Sequence, residues 1–156
     1  MFGTLYTNKS ACIVISIIVY TLKVFNMISI ILFWRSQMNY FNEGNKFYNT
    51  QDYQRAIDCY KKSASQNINE ACAYYNSGVC FIKLKKFDDA IVLLNRALSI
   101  KRESKYLFNL GYCYVMKECH DKALRLFNLA WSIDPNDKDC ENAINIIISK
   151  LHKKTI

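Results

Sequence analysis

Two hydrophobic patterns divide this chain. From Ala11 to Trp34 every residue is apolar except Ser16, Thr21, Lys23, Asn26 and Ser29. The segment therefore reads as a helix that is apolar all round, without a polar face. After Met38 the pattern changes: apolar positions recur at steps of three and four, which predicts amphipathic helices. The predicted breaks fall near Thr50, at residues 85–87 and at Cys119–His120. Only four glycines and one proline occur in 156 residues, too few for a many-turned β-sandwich.

A helix from Ala11 to Trp34 is about 36 Å long at the usual rise, enough to cross a hydrocarbon core. Phe33 and Trp34 precede Arg35, which resembles an interfacial aromatic belt with an anchoring charge. Lys23 is the defect, costing about 3 kcal/mol at mid-span, and the surrounding Ile and Val residues outweigh it. A cleaved signal peptide would need a shorter apolar core and a small-residue cleavage site, and none follows Trp34. The expectation is a candidate transmembrane helix at 11–34 after a tail at 1–10. Met27 and Met38 are alternative starts, and a chain starting near Met38 would be cytoplasmic.

The second region repeats. Gly44, Gly78 and Gly111 are spaced 34 and 33 residues apart, and Ala56, Ala90 and Ala123 follow them at the same interval. Ser63, Ala97 and Ala130 keep the register, as do the aromatics Phe47, Phe81 and Tyr114 three residues past each glycine. Tyr60, Leu94 and Phe127 lie four residues after each alanine, and Pro135 falls just past the third unit. A glycine inside a helix costs about 1 kcal/mol relative to alanine. Keeping one at the same point three times implies that two helices approach closely there. Asp52, Asp88 and Asp121 lie at or in the first turn of each second helix, where a carboxylate suits the helix dipole.

This pattern closely resembles the tetratricopeptide repeat, whose period is about 34 and whose signature runs aromatic, Leu-Gly, aromatic, Ala, aromatic, Pro. The third unit reads Leu107-x-x-Leu110-Gly111-x-x-Tyr114, then Ala123, Phe127, Ala130 and Pro135. The first unit departs from it, with Glu43 before the glycine and Ser63 for an alanine. The resemblance implies an all-α fold: a right-handed α-solenoid of three helix-turn-helix repeats (38–70, 71–103, 104–136) preceded by a single apolar helix. Residues 137–152 form a further amphipathic helix, with Cys140, Ala143, Ile144, Ile147, Ile148 and Leu151 in one stripe and Asn136 or Asp137 as cap. It would cover the last apolar face of the stack.

By the same resemblance the first helices line a concave peptide-binding groove. That register places Phe41, Asn45 and Tyr48 there from the first unit. The second supplies Tyr75, Asn76, Val79 and Lys83, and the third Lys105, Phe108, Asn109, Tyr112 and Met116. One subfamily grips a chaperone's C-terminal carboxylate with Lys, Asn, Asn, Lys and Arg. Here Asn45, Asn76 and Lys105 match, but Phe41 and Asn109 stand where two cations belong. The groove is therefore expected to prefer apolar or aromatic peptide side chains.

The remaining composition narrows the chemistry. The formal charge is +8, of which residues 1–36 carry Lys9, Lys23 and Arg35 and no acid. A basic helical-repeat RNA binder is the alternative reading, disfavoured by the glycine-alanine register and testable by salt dependence. Seven cysteines without a CxxC and only two histidines, His120 and His152, fit no disulfide framework and no metal site. They fit small buried hydrophobes in a reducing compartment. No nucleophile or acid–base set and no phosphate loop is recognisable. The sequence thus predicts a non-enzymatic interaction module without cofactor. It binds another protein or itself, tethered to a membrane with its repeats in the cytosol.

Overall fold

The computed structural model describes the backbone of residues 3–154 and the side chains of residues 13–34 and 40–151. The expectations resting on the side chains of Lys9, Arg35 and His152 lie outside these residues. The described residues form seven helices: α1 (Gly3–Asn49), α2 (Tyr53–Ser65), α3 (Glu70–Lys83), α4 (Phe87–Ile100), α5 (Ser104–Met116), α6 (His120–Ile133) and α7 (Lys138–Lys154). The segment expected as a tail is helical from Gly3. By contacts the chain forms two units, residues 1–38 and 39–156. In the first unit, Ile13–Trp34 has a mean hydropathy of 2.1 and none of it is buried.

In the second unit the helices pair as hairpins. Each pair is joined by the same device. Phe47, Phe81 and Tyr114 offer their carbonyls to the amides of Asp52, Lys86 and Cys119, each at 2.9 Å. The carbonyls of Tyr48, Ile82 and Val115 accept from Gln51, Lys85 and Glu118. This is a Schellman turn. The residue that must go left-handed is Gln51, Lys85 or Glu118, with φ of 62°, 58° and 58°. None is glycine, so periodicity locates the breaks while these turns carry no glycine to announce them. At Asp52 the carboxylate then accepts from the Arg55 amide at 3.2 Å, so one residue ends the turn and caps α2.

Between the helices of a hairpin the repeated residues meet. Ala56, Ala90 and Ala123 are fully buried, and so are Ser63, Ala97 and Ala130. Ser63, the departure from alanine, satisfies its hydroxyl by donating to the Ile68 carbonyl at 3.0 Å. The glycines face the residues found four past each alanine. A Cβ on Gly44 would lie 2.6 Å from Tyr60 Cε1, and one on Gly111 would lie 2.8 Å from Phe127 Cε1. At Gly78 the neighbour is Leu94 Cγ at 3.0 Å, a smaller overlap than at either ring.

These distances order the alanine substitutions. Helix propensity favours each by about 1 kcal/mol, and overpacking opposes by about 1–3 kcal/mol. Gly44→Ala should lower stability by about 1 kcal/mol, because the Cβ overlaps a rigid ring whose hydroxyl is tied to Asn45. Gly78→Ala should be neutral. Urea denaturation of both variants checks the order, and equal midpoints would contradict it.

The stack ends on α7. The Asp137 carboxylate accepts from the Asp139 and Cys140 amides at 3.0 and 3.2 Å and caps the helix. Cys140 and Ile147 are buried, and Ala143, Ile144 and Leu151 pack beside Ile147 against Phe127. Ile148 does not belong to this stripe. It is 39% exposed, because its position lies a quarter-turn beyond Ile147, at the rim of the buried arc.

A candidate peptide groove on the first helices

Five of the residues placed in the groove by sequence converge on one pocket of about 240 Å³. It is lined by Asn45 and Tyr48 from α1, Tyr75, Asn76 and Val79 from α3, and Tyr60 from α2. Their convergence follows from helix spacing. Asn45 and Tyr48 are three apart, and Tyr75, Asn76 and Val79 span one turn, so each set projects to one side.

The polar chemistry centres on Asn45. The Tyr60 hydroxyl donates to Asn45 Oδ1 at 2.7 Å, and Asn76 Nδ2 reaches the same oxygen at 3.5 Å. Burial holds the Tyr60 phenol far above its ordinary range, so it stays a protonated donor. Tyr60 is the pocket residue that sequence reasoning misses. It sits in the register of Leu94 and Phe127, which marks it as core, and its 1% exposure agrees. The available signal is the hydroxyl, which neither counterpart has. Gly44 lets that ring lie between the helices with its tip in the pocket.

Beside the pocket lies a second cluster. The Tyr75 ring stacks on Tyr106 with centroids 4.6 Å apart, and Asn109 Nδ2 donates to the Tyr75 hydroxyl at 3.1 Å. Lys105 Nζ lies 5.4 Å from the centre of the Tyr75 ring and 3.0 Å from Glu103 Oε2. Glu103 also pairs with Lys101 at 2.6 Å, and the two ammonium groups hold its carboxyl below the ordinary value. The one cation in the clamp register is therefore already matched by a carboxylate.

The remaining expected groove residues are placed differently. Phe41 packs on the Tyr60 ring at 5.6 Å, and Phe108 packs on Phe127 at 5.2 Å, so both are partly used by the core. Tyr112 is 39% exposed, edge-on to Phe87 at 6.5 Å. Lys83 and Met116 are exposed, and none of the three lines the pocket. Among the described residues no group of three or more His, Cys, Asp or Glu side chains could hold a metal.

The tetratricopeptide repeat family model matches residues 71–104, a span that runs from the start of α3 to the start of α5. The chain carries a tetratricopeptide repeat at residues 71–104. Tetratricopeptide domains of solved structure share its fold. One is the first such domain of Spaghetti (RPAP3) bound to the HSP90 peptide SRMEEVD, with a TM-score of 0.71 and 23% identity over 74% of this chain and 93% of that one. The Arabidopsis OM64 domain has a TM-score of 0.70 at 20% identity, covering 73% and 95%. The second domain of human RPAP3, solved with the HSP70 peptide SGPTIEEVD, has a TM-score of 0.67 at 21% identity, covering 72% and 96%. No curated protein sequence matches the chain. Its fold is the all-α solenoid of these domains.

Proposed function

We propose that this protein is a non-catalytic scaffold whose groove holds an uncharged, apolar stretch of a partner protein, and that residues 11–34 tether it to a membrane. The observation that carries the groove reading is the Asn45–Tyr60–Asn76 cluster opening into the pocket. With two donors on its oxygen, Asn45 has its amide nitrogen left to offer, and Asn76 has its oxygen. A donor beside an acceptor matches the carbonyl and amide of an extended peptide, while Tyr48, Tyr75 and Val79 supply apolar walls.

Two of the solved relatives hold acidic peptides, SRMEEVD and SGPTIEEVD. This groove differs in charge. Phe41 and Asn109 are neutral, and Lys105 is paired with Glu103. An acidic terminus would lose its water in the pocket, whose lining residues include no cation.

The repeats 38–70, 71–103 and 104–136 with the cap at 137–152 form the platform, and the exposed apolar helix forms the tether. The cysteines Cys59, Cys72, Cys80, Cys113, Cys119 and Cys140 are unbridged, which supports a cytosolic side for the repeats.

Fluorescence titration of the full chain tests the groove. A nine-residue peptide with blocked ends and a Leu-Phe-Leu centre should bind at least tenfold tighter than SRMEEVD. Tyr60→Phe removes the hydroxyl at Asn45 and should weaken the blocked peptide about two- to tenfold, the equivalent of one hydrogen bond. Tighter binding of SRMEEVD, lost on amidation of its carboxylate, would replace this reading with carboxylate capture.

A further inference from the structure

The apolar helix carries its one cation at its centre. Lys23 lies ten residues after Ile13 and eleven before Trp34, about 15 Å from either end at the helical rise. A four-carbon side chain is too short to bring its ammonium to a membrane surface from there. An ammonium held in hydrocarbon needs an opposite charge or a polar cavity.

The polar side chains around it are not scattered. At 100° per residue, Ser16, Tyr20, Lys23 and Asn26 fall within one arc of about 120°. Ser16 and Tyr20 line a shallow groove with Ile13 and Ile17. Thr21 and Ser29 lie outside the arc, and their hydroxyls are returned to the helix, donating to the Ile18 and Phe25 carbonyls at 2.8 and 2.9 Å. The polar groups off this face are thus satisfied within the helix, and the charge is on the face.

The chain holds no Asp or Glu before Glu43, so no acid of this segment can neutralise Lys23. A second copy would present another lysine at the same depth. We infer that the Ser16–Tyr20–Lys23–Asn26 face is a docking face for the membrane helix of a different protein, one that carries an aspartate or glutamate near its middle. This rests on the membrane reading above. It adds a second point of recognition to the groove: the ion pair selects the partner within the bilayer.

The test uses the full chain with Trp131→Phe, which leaves Trp34 as the sole tryptophan. It is reconstituted in phosphatidylcholine vesicles with a synthetic 22-leucine helix bearing one central Asp and a fluorescent acceptor at both ends. Energy transfer from Trp34 should report association at least tenfold stronger than with the all-leucine probe or with a central Asn. Lys23→Leu should abolish that preference while leaving vesicle binding intact, and Lys23→Asp should transfer it to a probe with a central Lys. Equal association of the Asp and Asn probes, an unchanged preference after Lys23→Leu, or pairing of the chain with itself instead of the probe would overturn the inference. Vesicle flotation separates the two levels. A chain that does not float removes the tether and the inference together. A chain that floats without preferring the Asp probe removes the inference alone.

Discussion

Phe127→Ala should lower the unfolding free energy of the repeats by about 3–5 kcal/mol, the cost of emptying a buried aromatic site. Phe127 is 2% exposed and fills the space opposite Gly111, against Phe108 of α5 and beside Ala123 and Ile147. Truncation leaves a cavity where α5, α6 and α7 meet. Domains of this size have about 5–15 kcal/mol in total, so the loss is a large share. A repeat stack is held by neighbour contacts, so the damage should be local. Hydrogen exchange should accelerate most in α5, α6 and α7 and least in α2. A uniform acceleration from α2 to α7, or a change in the urea midpoint equivalent to less than about 1 kcal/mol, would contradict this packing.

Alkaline unfolding should be nearly as large. Cys80 and Cys113 are fully buried, and burial pushes both thiols from an ordinary 9.0 up to about 12. Burial also pushes Cys140 up to about 12, assisted by its hydrogen bond to the Asp137 carboxylate. In the unfolded chain these thiols ionise as the pH passes 9, whereas in the folded chain they keep their protons to about 12. The unfolded state therefore binds fewer protons throughout that window, and stability falls as pH rises. It is fully present below pH 9 and is lost between pH 9 and about 12. Each thiol contributes at most about 1.4 kcal/mol per pH unit, so Cys80 and Cys113 together should remove roughly 3–5 kcal/mol by pH 11. The urea midpoint should drop between pH 8 and pH 10.5, and the double variant Cys80→Ala, Cys113→Ala should flatten the slope. Tyr60, Tyr75 and Tyr106, whose phenols burial also pushes up, leave a residual slope above pH 10. A constant midpoint across that range would refute the account.

Legibility in the sequence differs by residue. The close approach at Gly44 and Gly111 is readable, because a glycine that weakens a helix is kept in register only where a side chain would collide. So is the core role of Phe127, placed by its interval from Ala123. Register assigns Asn45, Tyr48, Tyr75, Asn76 and Val79 to the groove, and the structure brings them to one pocket. Tyr60 escapes it, because a residue can face the core with its ring and the pocket with its hydroxyl, and periodicity assigns one face only. Phe41 and Phe108 show the converse, a groove register whose rings lean into the core. The neutralisation of Lys105 depends on Glu103, the residue just before α5, pairing with a side chain two positions along, which no helical period describes.

The sequence by itself determined the number of hairpins, their length and the faces they bury, since period, glycine placement and alternating small and large residues are one-dimensional properties of a helix. It also determined that one segment is apolar all along its length. The tertiary structure decided which polar atoms meet. The bond of Tyr60 to Asn45, the stack of Tyr75 on Tyr106 and the left-handed turns at Gln51, Lys85 and Glu118 each depend on distances of a few ångströms between or at the ends of helices. Hydrogen bonds and ion pairs weaken within an ångström of misplacement, whereas burial tolerates it. That is why the fold could be read from pattern and the chemistry of the groove could not.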